Sequence, residues 1–335
     1  MQPAIYGLSG ESLTADERDF FRDANPAGYI LFKRNCAQKA QLRNLTDTLR
    51  SIHGRDDLPI LIDQEGGRVA RMQPPVWPAF PKAELFAQLY KVAPISAIEA
   101  ARANAQAIAV LLKECGITVD CMPLLDVRQA DAHDIIGDRA LGEEPMQVAA
   151  LGRAVLEGMR DGGVVGVVKH MPGHGRATSD SHVGLPVVQA PEEALETDLQ
   201  PFRALKHAPV GMIAHIVYTA WDATHCASLS RKLISEIIRT RIGFDGLLMS
   251  DDVGMRALSG TFAERARGVL QAGCDLALHC SGVLDDMLVV ANGLPEMSPQ
   301  ARGRLDRAMA TVADGATVGD YQELAAKRDE LLAFA

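Results

Sequence analysis

Short runs of continuously apolar residues alternate along the chain with longer stretches whose apolar positions recur at helical spacing. The runs predicted as strands are Ile5–Leu8, Gly28–Phe32, Ile60–Asp63, Ile117–Asp120, Val164–Lys169, Val210–Ile216, Gly246–Ser250 and Leu276–His279. Consecutive rather than alternate apolar positions mark strands buried on both faces, as in a parallel sheet covered by helices. Helical periodicity fills 37–53, 95–115, 146–161, 191–207, 230–241 and 261–272. Thr14 with Glu17 and Ser96 with Glu99 have capping-box spacing and predict helix starts, while Gly116 and Gly243 stand where helices should stop. A last helical stretch, about 298–333, is expected to pack outside the strands.

Eight strand–helix steps, unbroken by a Ser/Gly linker or a charge block, predict an α/β fold: a single (β/α)8 TIM-type barrel with an extra C-terminal helix, spanning 1–335 as one domain. An open doubly wound sheet would want a glycine-rich phosphate turn after the first strand, where Glu11-Ser12-Leu13 stands instead. The glycines of Gly162-Gly163-Val164-Val165-Gly166 precede and enter a strand rather than open a helix, so they read as a tight turn.

Composition narrows the function classes. With 47% hydrophobic and 23% charged residues in 335, the chain is neither disordered nor low in complexity. Its 34 Lys and Arg against 43 Asp and Glu give a net charge of −9, and no basic stripe is present, so no nucleic-acid partner is expected. Cys36, Cys115, Cys121, Cys226, Cys274 and Cys280 form no CxxC pair, which fits a reducing cytoplasm. The N-terminus lacks a basic region followed by an apolar run, and no apolar stretch approaches the ~18 residues of a spanning helix, so no membrane partner is expected either.

In such a barrel, chemistry sits at the C-terminal ends of the strands. Here those ends carry Asp63-Gln64-Glu65-Gly66-Gly67-Arg68, then Asp120 and Asp126, then Lys169-His170-Met171-Pro172-Gly173-His174, then His215, Asp251-Asp252 and His279. Ionisable groups after six successive apolar runs are costly to bury without purpose. Singly, each has a structural reading: Asp63 as a cap, Lys169 as a partner of a core carboxylate, His215 as a satisfied core histidine. Arg139 could clamp hydroxyl or carboxylate oxygens, or pair with Asp138. The loop 170–190 is too long and glycine-rich for a plain turn. It holds Asp180 and His182, a spacing at which a carboxylate can orient an imidazole for acid–base work, and its glycines suit a lid. His170, His174 and His215 with a late Asp could instead ligate a metal, although Pro172-Gly173 breaks the helical spacing such ligands use.

Ile62-Asp63-Gln64-Glu65-Gly66-Gly67-Arg68-Val69-Ala70-Arg71, Gly137-Asp138-Arg139-Ala140-Leu141-Gly142, Lys169 to Gly175 with Asp180-Ser181-His182, and Met249-Ser250-Asp251-Asp252 resemble, in order, motifs of the compact bacterial β-N-acetylglucosaminidases of glycoside hydrolase family 3. The resemblance runs over about residues 5 to 285. It implies a single barrel without the second sandwich domain of larger relatives. It further implies Asp251 as nucleophile, His182 oriented by Asp180 as acid/base in place of a second carboxylate, and Asp63, Arg71, Arg139, Lys169 and His170 as binders of N-acetylglucosamine. The chain departs from the pattern at Met171, where Phe is commoner, and at Asp120-Cys121-Met122-Pro123, where an Asn-containing run is usual.

The function so implied is hydrolysis, with retention, of terminal non-reducing β-linked N-acetylglucosamine. The substrate is expected to be a peptidoglycan fragment, N-acetylglucosaminyl-1,6-anhydro-N-acetylmuramic acid or its peptides, cleaved during cell-wall recycling in the cytoplasm. No cofactor and no metal are implied, the partner is a small carbohydrate, and a monomer is the expected state. Arg176 and Lys33 are candidates for meeting an acidic aglycone. The competing readings are a β-glucosidase or xylosidase of the same family, a metal-dependent barrel hydrolase, and a barrel that binds sugar without cleaving it.

Overall fold

The structure, a computed structural model, describes residues 1–130, 132–181, 183–313 and 319–334. Its strands are β1 (Gln2–Gly7), β2 (Pro26–Leu31), β3 (Ile60–Ile62), β4 (Val119–Asp120), β5 (Val165–Met171), β6 (Val210–Ile213), β7 (Leu247–Asp252) and β8 (Leu276–His279). They pair in parallel, each with its neighbours in sequence, and β8 closes on β1 to complete the barrel expected from the sequence. Differences at the strand ends matter for the site. β5 continues past Lys169 to Met171 and β7 past Ser250 to Asp252, so chemistry-bearing residues lie within the strands themselves. β6 stops at Ile213; Val217–Tyr218 leaves the barrel and pairs with Val187–Val188 of the long loop.

Period-two alternation within each strand sends one set of side chains inward and the other against the helices. Ile5, Ile30, Leu61, Val165, Met212 and Leu278 belong to the inner cluster, which Leu305, Ala308 and Met309 of helix Pro299–Ala313 complete. That helix therefore packs against the inner cluster and covers the barrel at the end opposite its C-terminal mouth. The final stretch is thus two helices, the second, Tyr321–Leu332, lying on Pro94–Glu114. Ala4, Tyr6, Tyr29, Ile60, Val168 and Leu248 belong to the outer cluster. Burying each such aliphatic side chain is worth about 1.5–3 kcal/mol.

The Thr14–Glu17 capping box is present, with Glu17 N donating to Thr14 Oγ1 at 3.1 Å and Thr14 N to Glu17 Oε2 at 2.9 Å. The Ser96 start is not: the helix begins at Pro94, whose missing N–H costs nothing in a first turn. Gly116 and Gly243 end their helices at φ +76° and +79°, a region that suits glycine. Helices Ala83–Val92 and Leu284–Asn292 were not anticipated. One expectation is corrected: Pro94–Glu114 is by length and composition apolar enough to cross a membrane. Its apolarity serves packing here, since Ala97, Ala101, Ala105, Ile108 and Leu112 are all buried.

Candidate active site

A cavity of about 320 Å³ opens at the mouth of the barrel. Asp63, Arg71, Arg139, Lys169, His170 and Asp251 all line it. The segment following β3 folds back as a hairpin, Gln64–Gly66 against Val69–Ala70. Buried Gln64 holds its far end: Oε1 accepts from Arg71 N at 2.9 Å and Met72 N at 3.0 Å. Asp63, Glu65 and Arg71 are thereby delivered to one wall.

On that wall, cations and carboxylates alternate. Arg71 Nη2 donates to Asp63 Oδ2 at 2.8 Å, and Lys169 Nζ lies 3.1 Å from Asp63 Oδ1 and 2.7 Å from Glu65 Oε1. Arg139 closes the series with Nε and Nη2 each 2.8 Å from a Glu65 oxygen. Burial alone would raise the Glu65 carboxyl, but Lys169 and Arg139 hold it down to about 2. Asp63 is likewise held below its ordinary value against its burial by Lys169 and Arg71. Burial would lower Lys169, yet Glu65 and Asp63 keep it firmly protonated. Three cations face two carboxylates, so N–H donors remain for a polar ligand.

Asp126, fully buried behind β5, organises the next wall. Its Oδ1 accepts from His170 N at 3.1 Å and His174 N at 2.6 Å, and its Oδ2 lies 2.8 Å from His170 Nδ1. Burial pushes against the charge, but the two histidines and the amide bond keep the carboxyl at about 2. His174 also lines the cavity; burial, with His170 beside it, pushes its ring down to about 4. The loop root is pinned further by Tyr218, whose hydroxyl donates to Gly173 O at 2.8 Å. Gly175 is obligatory there, because a Cβ would sit 1.9 Å from Val127 O.

Beyond the root, Asp180 is half-buried, and its carbonyl accepts from Val183 N and Gly184 N. Its neighbour Ser181 lines the cavity. His182 lies outside the described residues. Arg176 is not among the residues lining the cavity: its Nε donates to Asp198 Oδ2 at 2.6 Å and its Nη2 to Ala194 O at 2.9 Å. Lys33 is not among the residues lining the cavity, whereas Arg68 is, at the rim, donating to Asp138 Oδ1 and to the carbonyls of Asp134 and Ile135.

Asp251, the next-to-last residue of β7, lies at the cavity floor. Burial alone would raise its carboxyl; the fields of His170 and His215 and the Asp252 amide outweigh it and hold the carboxyl below its ordinary value. The Asp252 amide donates to Oδ1 at 2.8 Å, leaving Oδ2 as the oxygen available to a ligand. Asp252 spends its own Oδ1 on Gly254 N and Cys280 N. Its carbonyl accepts from His215 Nε2 at 3.0 Å, and His215 Nδ1 pairs with Ser228 Oγ at 2.7 Å. With both nitrogens engaged, His215 is a core histidine that braces β7, not a metal ligand. Among the described residues, no three His, Cys, Asp or Glu side chains gather as a metal would require. Asp120 lies fully buried, with Oδ1 on Gln64 N; burial pushes its carboxyl up to about 8.

The structure thus brings Glu65, Asp126 and His174 into the site beside the residues singled out from the sequence. Glu65 and Asp126 were legible there only as strand-end ionisable groups, because the partners that give them a role lie far along the chain, Arg139 and Lys169 for Glu65 and His170 and His174 for Asp126.

The chain matches the family described as glycosyl hydrolase family 3 N-terminal domain over residues 6–312. A β-hexosaminidase from Alkalilimnicola ehrlichii is 37% identical over 310 residues, 91% of this chain and 88% of its own length. A β-hexosaminidase from Xylella fastidiosa is 38% identical over 281 residues, 82% of each chain. The crystal structure of NagZ from Neisseria gonorrhoeae in complex with N-trifluoroacetyl-D-glucosamine superimposes with a TM-score of 0.88 at 30% identity, covering 100% of this chain and 98% of that one.

Proposed function

The chain belongs to glycosyl hydrolase family 3, and from that premise we propose that it is a retaining β-N-acetylhexosaminidase with Asp251 as its nucleophile. The observation that carries this reading is the placement of Asp251: a carboxylate kept ionised by its surroundings, with one oxygen held by the Asp252 amide, on the floor of a cavity walled by Asp63, Arg71, Arg139 and Lys169. A donor-rich wall grips hydroxyl and acetamido oxygens, and a fixed anion beneath it suits attack on an anomeric carbon.

In the first step, Asp251 Oδ2 forms a bond to the anomeric carbon while the glycosidic bond breaks. The leaving oxygen takes a proton from His182, which Asp180 orients. The neutral imidazole then takes a proton from water, whose oxygen displaces Asp251 and yields the β-configured sugar. The positive charge that develops at the anomeric carbon in each step is met by the Asp251 carboxylate, arriving in the first step and departing in the second. The root of the long loop is held in place by its bonds to Asp126, Tyr218 and Asp198.

The proposed substrate is a terminal non-reducing β-linked N-acetylglucosamine on a peptidoglycan fragment. The protein is taken to act in the cytoplasm as a monomer, with residues 1–335 as one barrel domain. The similarity of the chain to β-hexosaminidases over about nine-tenths of its length supports the choice of an acetamido sugar over glucose or xylose. The test is release of nitrophenol from the β-N-acetylglucosaminide, the β-glucoside and the β-xyloside, each with and without EDTA. Turnover of the acetamido sugar alone, indifferent to chelator, is expected; preference for either other glycoside, or loss of activity to EDTA, would overturn the reading.

A further inference from the structure

Two histidines line the sugar cavity from the root of the long loop, and one of them, His170, has a buried carboxylate at its back. We propose that Asp126 is a positioning residue that fixes which ring nitrogen of His170 carries a proton, so that His170 Nε2 meets the bound sugar as a hydrogen-bond acceptor. The proposal rests on the reading of the cavity as a sugar site.

An ionised carboxylate can only accept, so Asp126 Oδ2, 2.8 Å from His170 Nδ1, requires a hydrogen on that nitrogen. Asp126 is fully buried and its other oxygen takes two backbone amides, His170 N and His174 N, so neither the carboxylate nor the start of the ring's own backbone can shift. The ring's second nitrogen is Nε2. With Nδ1 turned to Asp126 and His170 bordering the cavity, Nε2 is the ring nitrogen left for a ligand. In the neutral ring it bears a lone pair.

That lone pair matters because acceptors are scarce where donors crowd. Arg71, Arg139 and Lys169 face the same space, and their N–H groups saturate the lone pairs of any hydroxyl they hold. A hydroxyl so held must give its own hydrogen to an acceptor. Asp63 and Glu65 already spend two lone pairs or more on the cations, whereas the lone pair of His170 Nε2 is set apart from them on the neighbouring wall. Replacing the acceptor by one more N–H would leave a hydroxyl facing donors only.

Asp126→Asn separates this role from a structural one. The asparagine oxygen still accepts from both backbone amides and keeps the loop root, while its NH2 donates to His170 Nδ1 and forces the hydrogen onto Nε2. Asp126→Ala removes both functions. The primary readout is nitrogen-15 NMR of the histidine rings, with the His170 signals assigned by His170→Gln, together with calorimetric titration of N-acetylglucosamine and steady-state kinetics on the nitrophenyl substrate.

In the wild type, His170 should show hydrogen on Nδ1, and Asp126→Asn should reverse the two nitrogens. Affinity for the sugar should fall at least about tenfold, with kcat/KM falling in step chiefly through KM. A wild-type ring with hydrogen on Nε2, or a reversed ring with unchanged sugar affinity, would overturn the proposal. The wild-type spectrum decides the first point even if Asp126→Asn does not fold. A wild type that binds the sugar through a correctly protonated His170 but cleaves no hexosaminide would sink the hydrolase reading and leave this one standing.

Discussion

Glu65 grips Arg139 with both carboxylate oxygens, at 2.8 Å each, while its Oε1 also lies 2.7 Å from Lys169 Nζ. One buried carboxylate from the hairpin after β3 thus fixes the two cations contributed by β5 and by the loop after β4. Glu65→Gln leaves three cations against Asp63 alone and turns an NH2 toward one of them. The expected outcome is a rise in KM of at least about tenfold with a smaller change in kcat, and a loss of stability of about 3–5 kcal/mol, as for breaking one side of a buried ion pair. Steady-state kinetics and denaturant melts check both.

Stability should depend on pH in two opposite ways. Asp126 and Glu65 are held at about 2 in the fold, below the ordinary carboxylate values of about 3.9 and 4.3. Their contribution is complete above those ordinary values and disappears as pH falls through about 2. Asp120 runs the other way: its folded value is about 8, so between about pH 4 and 8 the unfolded chain is ionised where the fold is not, and stability falls as pH rises, by up to about 1.4 kcal/mol per unit. Asp120→Asn removes that slope. Melts of the variant and the wild type are expected to diverge from pH 4 upward and run parallel above 8; identical curves across that range would contradict the burial assigned to this carboxyl.

The acid/base assignment makes a separate prediction. His182→Ala and Asp180→Asn should depress kcat by about 10²–10⁴-fold for a sugar with a poor, unactivated leaving group. The loss should be far smaller in the glycosylation step for a nitrophenolate, which needs no proton. Equal losses on both leaving groups would place the proton donor elsewhere.

Arg68 supplies a test of the cavity rim. Its bonds to Asp138 Oδ1 and to the carbonyls of Asp134 and Ile135 tie the hairpin after β3 to the loop that carries Arg139. Being partly exposed, the Arg68–Asp138 pair contributes little to global stability. Arg68→Ala is expected to leave the melting temperature nearly unchanged while raising KM several-fold by loosening Arg139, which kinetics and melting together would resolve.

Much of this was legible in the sequence because the relevant signals are local. Continuous apolar runs gave the eight barrel strands, and an ionisable residue directly after such a run is displayed at the barrel mouth by the fold itself. That rule places Asp63, Lys169 and Asp251 at the barrel mouth, while their roles rest on the family resemblance. What escaped was set by partners distant in sequence. Glu65 looks like any hairpin glutamate until Arg139 and Lys169 come to it, and Asp126 becomes a histidine anchor only when β5 lies beside it. The pairing of Arg176 escaped for the same reason, since nothing near it in the chain announces Asp198 as its partner. The Ser96 helix start failed because Pro94, two residues earlier, is the better first residue.

The most direct test of the central claim is the chemistry of Asp251→Ala with azide, using the nitrophenyl β-N-acetylglucosaminide. Removal of the carboxylate should cost at least about 10³-fold in kcat. Azide should restore turnover by entering the vacated floor and attacking the anomeric carbon once, giving the α-glycosyl azide, while the wild type releases the β-sugar. An Asp251→Ala protein that retains wild-type turnover, or a wild type that releases the α-sugar first, would contradict the account.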